Sequence, residues 1–175
     1  MPSDVSVRLT TEGDREQVLR TVREAFLGDV SDGQEEVEIV ETVWALGATK
    51  VAGDLVAVAD GEIVGHVLAS LGSLDGRAVP GIAPLAVRPD FQGQGIGTDL
   101  MTELLHQLKQ RGGPLVVVLG DHGYYGRFGF QPAGQFGIHY LSAGVSTPHF
   151  QVLQLGGQHE AFSGNYVYSW EAASA

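Results

Sequence analysis

The chain runs to 175 residues with 43% hydrophobic content, enough for one domain over residues 1–175 with a buried core, and it holds no eighteen-residue apolar stretch that would cross a membrane. It has no cysteine, which excludes disulfides, thiol nucleophiles and cysteine-bound metals. Acids outnumber bases 21 to 10, for a net charge of −11, and the lysines are Lys50 and Lys109 alone, so no basic patch is visible for a nucleic-acid backbone.

Met1-Pro2-Ser3-Asp4 carries neither a basic region nor an apolar core, so no leader is expected, and a cytoplasmic location is. Val7-Arg8-Leu9 predicts a short strand. Thr11 and Asp14 frame a helix start, although the fourth place of a capping box is ordinarily Glu or Gln. Val18, Leu19, Val22, Ala25 and Phe26 recur at helical spacing, and Gly28 ends that helix. Ser31-x-x-Gln34 matches a capping box, and Val37, Val40 and Trp44, with Ile39 and Val43 alongside, predict a second helix to about Gly47. Leu55 to Ala59, the turn Asp60-Gly61 and Ile63 to Leu71 read as a hairpin, followed by a loop over Gly72 to Gly76. Val79 to Val87 predicts the next strand, with Pro84 removing one ladder donor and so marking a bulge or a departing neighbour.

Arg88-Pro89-Asp90 ends that strand and Gln92-Gly93-Gln94-Gly95-Ile96-Gly97 follows. From Thr98 the pattern is helical, with Leu100, Met101, Leu104, Leu105 and Leu108 on one face, and Lys109, Arg111 and Gly112-Gly113 closing it. Glycines at a helix start let an anion reach unpaired amides at the positive end of the helix dipole. The loop lacks the Gly-Lys-Ser/Thr ending of a P-loop, and its third glycine falls one residue short of the dinucleotide fingerprint. It fits Gln/Arg-x-x-Gly-x-Gly/Ala after a strand. Pro114 to Leu119 reads as a buried parallel strand. Phe136 to Leu141 and Phe150 to Leu155, joined by a Ser/Thr/Pro loop, and Tyr166, Val167, Tyr168 and Trp170 are further strand candidates. The order predicts an α+β fold with a mixed central sheet.

The stretch Pro84-Leu85-Ala86-Val87-Arg88-Pro89-Asp90-Phe91-Gln92-Gly93-Gln94-Gly95-Ile96-Gly97-Thr98 resembles the coenzyme-A-binding motif of the GNAT superfamily of N-acetyltransferases, in the wording of its YhbS-like members. Tyr125-Gly126-Arg127-Phe128-Gly129-Phe130 is similar to the Tyr-x-x-x-Gly-Phe segment of the same superfamily. Together the two motifs cover roughly residues 79 to 132. The resemblance implies a GNAT-like fold, a central mixed and mostly antiparallel sheet with splayed parallel strands, flanked by helices. It implies acetyl-CoA as cosubstrate, backbone contacts from Leu85, Ala86 and Val87, and phosphate contacts from the amides of Gln92, Gly93, Gln94, Gly95, Ile96, Gly97 and Thr98. With so few bases, the phosphates are expected to rest mainly on backbone amides with Arg88 or Arg127 as a local cationic helper, and Asp99 is expected to face away. Tyr125 falls at the general-acid position, with Tyr124 beside it. The chain departs from the family where Val118 stands in place of a frequent asparagine.

Acetyl transfer needs a neutral amine, a donor to the developing oxyanion and an acid near the departing thiolate. The general base is left open among Glu38, Glu41, His66, Asp121 and His122. The six histidines show no metal-ligand spacing, so no metal is expected, and Ser142 and Ser146 lack a nucleophile-elbow context. The acidic excess fits attraction of a cationic, amine-bearing acceptor and equally fits simple solubility. A homodimer is left open. The rival from another class is a catalytically idle acyl-CoA-binding sensor or partner-binding module.

Overall fold

The computed structural model describes residues 4–28, 30–143, 147–156 and 162–173. Its strands are β1 (Val5–Leu9), β2 (Val51–Ala59), β3 (Glu62–Leu74), β4 (Arg77–Val87), β5 (Leu115–Leu119), β6 (Gln131–Pro132), β7 (Ile138–Tyr140), β8 (Phe150–Gln154) and β9 (Gly164–Val167). The helices are α1 (Arg15–Phe26), α2 (Gln34–Leu46), α3 (Ile96–Gln110), α4 (His122–Tyr125) and α5 (Ser169–Ala173). One sheet holds all of these strands in the order β1-β2-β3-β4-β5-β8-β6, with β9 pairing β3 and β7. Pairing is antiparallel except for β4 with β5 and β7 with β9.

Two faces of this sheet carry separate cores. Val18 and Val22 of α1 and Val37, Val40 and Val43 of α2 pack on Val56, Ile63, Leu68 and Ala86. On the other face Leu100, Met101 and Leu104 of α3 pack on Leu55, Ala57, Val64 and Val67. Two strand glycines let α3 sit close. A Cβ on Gly53 would lie 2.3 Å from Leu104 Cδ1, and one on Gly65 would lie 2.9 Å from Leu100 Cδ1. The C-terminal strands add an aromatic cluster of Phe150, Tyr166 and Tyr168 beneath β4 and β5, on the face away from α3.

Several sequence expectations shift. The hairpin at Asp60-Gly61 has φ of 51° and 79°, the type I′ pattern, and Asp75-Gly76 repeats it at 44° and 89°. β3 therefore runs on to Leu74 where a loop over Gly72 to Gly76 was expected. The Ser31 capping box does not form. Ser31 Oγ accepts from the Gly33 amide and Asp32 Oδ1 from the Gln34 amide, and Gly33 caps α2 because a Cβ there would meet the Arg23 carbonyl oxygen at 2.5 Å. Helix α3 begins at Ile96, two residues before Thr98, with Gly95 in the left-handed region as its N-cap. Phe136 and Leu141 fall in 3-10 turns on either side of a shorter β7, and Trp170 lies in α5. Ser146, part of the expected Ser/Thr/Pro loop, and Met1, Pro2 and Ser3 lie outside the described residues. Among the described residues no helix is long and apolar enough to cross a membrane.

A polar knot ties the N-terminal half together. Asp54 on β2 accepts from Thr10 Oγ1 at 2.6 Å, Trp44 Nε1 at 2.8 Å and His66 Nε2 at 2.8 Å. Burial pushes the Asp54 carboxyl up, but hydrogen bonds and charge from His66, then Thr10 and Trp44, hold it below its ordinary value. That contribution is present above the ordinary carboxylate pKa of about 4 and is lost as pH falls through the lowered folded value. Asp54→Asn keeps the shape but turns an amide donor toward donors. It is expected to cost about 1–3 kcal/mol in denaturant unfolding at neutral pH, shrinking in acid. Unchanged stability at neutral pH would refute this account of the knot.

Candidate active site

The parallel ladder between β4 and β5 consists of two register pairs, Gly81 with Val117 and Ile82 with Val118. Beyond them β4 gains a residue relative to β3, its partner moving from Ala69–Ile82 to Val67–Leu85 across the bulge at Ala83-Pro84. β4 thereafter follows β3, β5 follows β8, and the two diverge. The Arg88 amide donates to Val64 O at 2.9 Å. By the alternation of an antiparallel ladder, Ala86 then turns its amide and carbonyl toward β3, while Leu85 and Val87 turn theirs away from it, where Gln92 Nε2 donates to Val87 O at 2.9 Å.

Into this opening faces a cleft of about 510 Å³. Leu85, Val87 and Phe91 form its apolar stem, and Gln92, Gly93, Gly95, Ile96, Gly97 and Thr98 form its loop wall. Asp121, Tyr124, Tyr125 and Arg127 close the far side. Ala86 and Gln94 are not among the lining residues. Ala86 is buried in the α1/α2 core, and Gln94 Nε2 donates to Asp90 O at 3.2 Å. Asp99 is exposed and outside the cleft. Arg88 is also elsewhere, its guanidinium shared among Glu24, Glu62 and Asp90 at 3.5, 3.2 and 3.2 Å.

The first amides of α3, those of Ile96, Gly97 and Thr98, have no partner within the helix and meet the positive end of its dipole at the cleft. Gly95 is required by its φ of 87°, with open space around it. Gly97 is required by a neighbour, since a Cβ there would stand 2.5 Å from Tyr124 Oη. Arg127 lies over the Tyr124 ring at 4.4 Å, its Nε donating to Tyr124 O at 3.2 Å, and supplies a cation to the cleft.

Tyr125 owes its place to the residues around it. Asp121 caps α4 by accepting from the Gly123 amide, and the Tyr125 ring lies on Gly120, where a Cβ would be 2.5 Å from Cε2. Gly129 in the left-handed region at φ 94° reverses the chain so that Phe130 meets Tyr125 edge-on at 5.9 Å. That contact gives the Tyr-x-x-x-Gly-Phe spacing its physical meaning. Burial, with a smaller push from the neighbouring Tyr124 phenol, raises the Tyr125 pKa well above its ordinary value. The phenol therefore stays protonated across the neutral range.

Among the candidate bases, Asp121 alone lines the cleft, and it is committed to capping α4. Glu38 and Glu41 are exposed on α2, and His66 is buried against Asp54. His122 is exposed at the start of α4, away from the lining. Sequence reasoning missed Gln151, fully buried on β8, whose Nε2 donates to Gly120 O at 3.0 Å and so fixes the seat of Tyr125. No local signal in the sequence marks it, because the pairing is made across the sheet.

Residues 16–130 match the model of the acetyltransferase (GNAT) family. The chain belongs to that family. It is 35% identical over 102 residues to the uncharacterized N-acetyltransferase YjhQ of Escherichia coli, and 38% identical over 104 residues to the uncharacterized N-acetyltransferase YhbS of the same species. Those alignments cover 56% and 58% of this chain and span 56% and 62% of the relatives' own lengths. A crystal structure of E. coli YhbS in complex with CoA superposes with a TM-score of 0.86 at 28% identity, over 99% of this chain and 94% of that one. A GNAT family acetyltransferase from Brucella melitensis in complex with acetyl-CoA gives 0.77 at 31% identity, over 94% and 96%. The GNAT fold accounts for the opened β4/β5 pair. Among the described residues no group of three His, Asp or Glu is placed to hold a metal ion.

The two glycines generate distinct expectations. Gly95→Ala is strained by its backbone and should cost about 1 kcal/mol whatever surrounds it. Gly97→Ala should be costly chiefly through the Tyr124 hydroxyl, so Tyr124→Phe should rescue it with a coupling above about 0.5 kcal/mol in a double-mutant cycle. Strict additivity by denaturant unfolding would show that Gly97 is not held by Tyr124.

Proposed function

We propose that the protein is an N-acetyltransferase that takes its acetyl group from acetyl-CoA and passes it to a primary amine by direct attack with both substrates bound. The observation carrying this reading is the convergence, in one cleft, of the unpaired α3 amides, the outward-turned backbone of Leu85 and Val87, and the Tyr125 phenol. The cleft fits the coenzyme chemically. Amides and Arg127 suit a pyrophosphate, Leu85, Val87 and Phe91 suit an aliphatic arm, and the Leu85 backbone and Val87 amide suit its amides. Gly93, Gly95, Ile96, Gly97 and Thr98 would hold the phosphates. When bound, acetyl-CoA supplies a thioester whose acyl carbon bonds to the amine nitrogen as its bond to sulfur breaks, one proton leaving the amine and one reaching the thiolate. Tyr125 holds the proton suited to that thiolate.

The proposed acceptor is a cationic amine, of a small molecule or a protein, the charge class that a net charge of −11 would attract. The proposed setting is the cytoplasm. The shortage of a free base in the cleft keeps one rival reading, an idle acyl-CoA-binding module, as an outcome of the test.

Thiol release from acetyl-CoA over a panel of amines is the deciding assay. Amine-dependent release is expected, and tight coenzyme binding without turnover on any amine would favour the idle module. Tyr125→Phe should leave coenzyme A affinity nearly intact and lower kcat by about 10²-fold, the low end for general acid catalysis, because a thiolate leaves readily. Equal kcat in the variant, with chemistry rate-limiting, would remove Tyr125 from the reaction. For a cationic acceptor, kcat/KM should fall as salt is raised and the Debye length shortens to about 10 Å at 0.1 M. A flat salt profile would count against electrostatic attraction.

A further inference from the structure

Two side chains of opposite charge line the cleft, Asp121 and Arg127, and the structure keeps them apart. Arg127 lies over the Tyr124 ring, whose hydroxyl reaches Gly97 at the start of α3, so the guanidinium stands at the anion-attracting end. Asp121 follows Gly120, the seat of the Tyr125 ring, just past the end of β5. It is the only carboxylate among the lining residues. Among the described residues neither Asp121 nor Arg127 forms an ion pair, with each other or with any third group.

The Asp121 carboxylate is only half used. Oδ1 accepts from the Gly123 amide at 2.9 Å and so caps α4, while Oδ2 accepts from none of the described residues. The cap does not require a charge. Asparagine caps a helix about as well as aspartate, and a single turn offers little dipole to reward an anion. The coenzyme does not require it either, since a carboxylate in the same cleft works against a phosphate-bearing ligand. The remaining species in the reaction is the acceptor. An aliphatic amine, with a pKa near ~10, arrives as an ammonium ion at neutral pH, and Asp121 is the lining group whose charge complements it.

We propose that Asp121 is the residue that recognises the acceptor, its free Oδ2 receiving the ammonium on the wall that carries Tyr125. This rests on the acetyltransferase reading above. The ammonium releases a proton to solvent water before its nitrogen attacks the acyl carbon. Asp121 therefore acts on the binding of the amine and on the choice of cationic over neutral acceptors, and not on the bond-making step.

Asp121→Asn separates the charge from the cap, and Asp121→Ala removes both. The asparagine variant should keep the parent's denaturant midpoint and should bind coenzyme A as tightly as the parent or more tightly. Its KM for the best cationic amine of the panel should rise roughly threefold to tenfold, as for loss of one partly screened ion pair, with kcat within about twofold of the parent. The alanine variant should show the same rise in KM with a lower midpoint. Calorimetry with butyltrimethylammonium, an unreactive cation, on coenzyme-A-loaded protein reads the site without turnover. The parent should bind it above a sodium chloride control of equal ionic strength, and Asp121→Asn should bind it at least threefold more weakly. An unchanged KM, a fall confined to kcat, or weaker coenzyme A binding in Asp121→Asn overturns the role of Asp121 and leaves the acetyltransferase reading standing. Equal binding of the cation by parent and variant, or none by either, does the same. A parent that binds coenzyme A and acetylates no amine, or one that does not bind coenzyme A, overturns the acetyltransferase reading and this proposal with it.

Discussion

The parting of β4 from β5 is the constraint on which the rest of the molecule turns. β4 stays with β3 as far as Val87, and β5 stays with β8 as far as Leu119, so neither can follow the other. The extra residue at Ala83-Pro84 absorbs the mismatch, and Pro84 has no amide to leave stranded. What remains is a strand edge at the cleft, with the Leu85 backbone and the Val87 amide turned toward space that another chain would normally fill, while Gln92 Nε2 donates to Val87 O. Buried backbone groups require partners. An extended, amide-bearing ligand satisfies that requirement better than bulk water in a narrow cleft.

The helix beside the opening is seated by absence of side chains. Gly53 and Gly65 let Leu104 and Leu100 press against the sheet, which brings the start of α3 to the same level as Leu85 and Val87. Gly97 makes room for Tyr124 at the next turn. The anion-attracting character of the cleft then comes mainly from peptide dipoles, with Arg127 as its cation. This division suits a protein with a net charge of −11, whose remaining surface can attract cations without forfeiting an anionic ligand. Arg88, adjacent in sequence, is spent on Glu24, Glu62 and Asp90 instead.

The far wall depends on a chain of local devices. Gln151 holds Gly120, Gly120 seats the Tyr125 ring, Asp121 caps the single turn of α4, and Gly129 swings Phe130 back onto Tyr125. Each lies within the Tyr-x-x-x-Gly-Phe segment or directly against it. The C-terminal segment covers the opposite face of the sheet with the buried Tyr166 and Tyr168.

Local pattern determined much of this on its own. Helical spacing in Val18 to Phe26, Val37 to Trp44 and Leu100 to Leu108, the Asp60-Gly61 turn, and the run of valines in β5 are properties of short windows, and so were legible. The glycine loop was legible as an anion cradle because a strand end, left-handed glycines and a helix start are contiguous in sequence. Ser31 misled because a capping box is decided by which residue can approach α1, and that was Gly33. Trp170 and Phe136 were assigned to strands because short apolar runs lack a period long enough to distinguish strand from turn. The second turn, Asp75-Gly76, is of the same local kind as Asp60-Gly61. Tertiary structure alone decided that Arg88 is drawn to Glu24, Glu62 and Asp90 while Arg127 lines the cleft, that the Ala86 backbone faces β3, and that Gln151 supports Gly120. These are relations between residues far apart in the chain, made when the sheet brings their backbones together. No window of the sequence contains both partners.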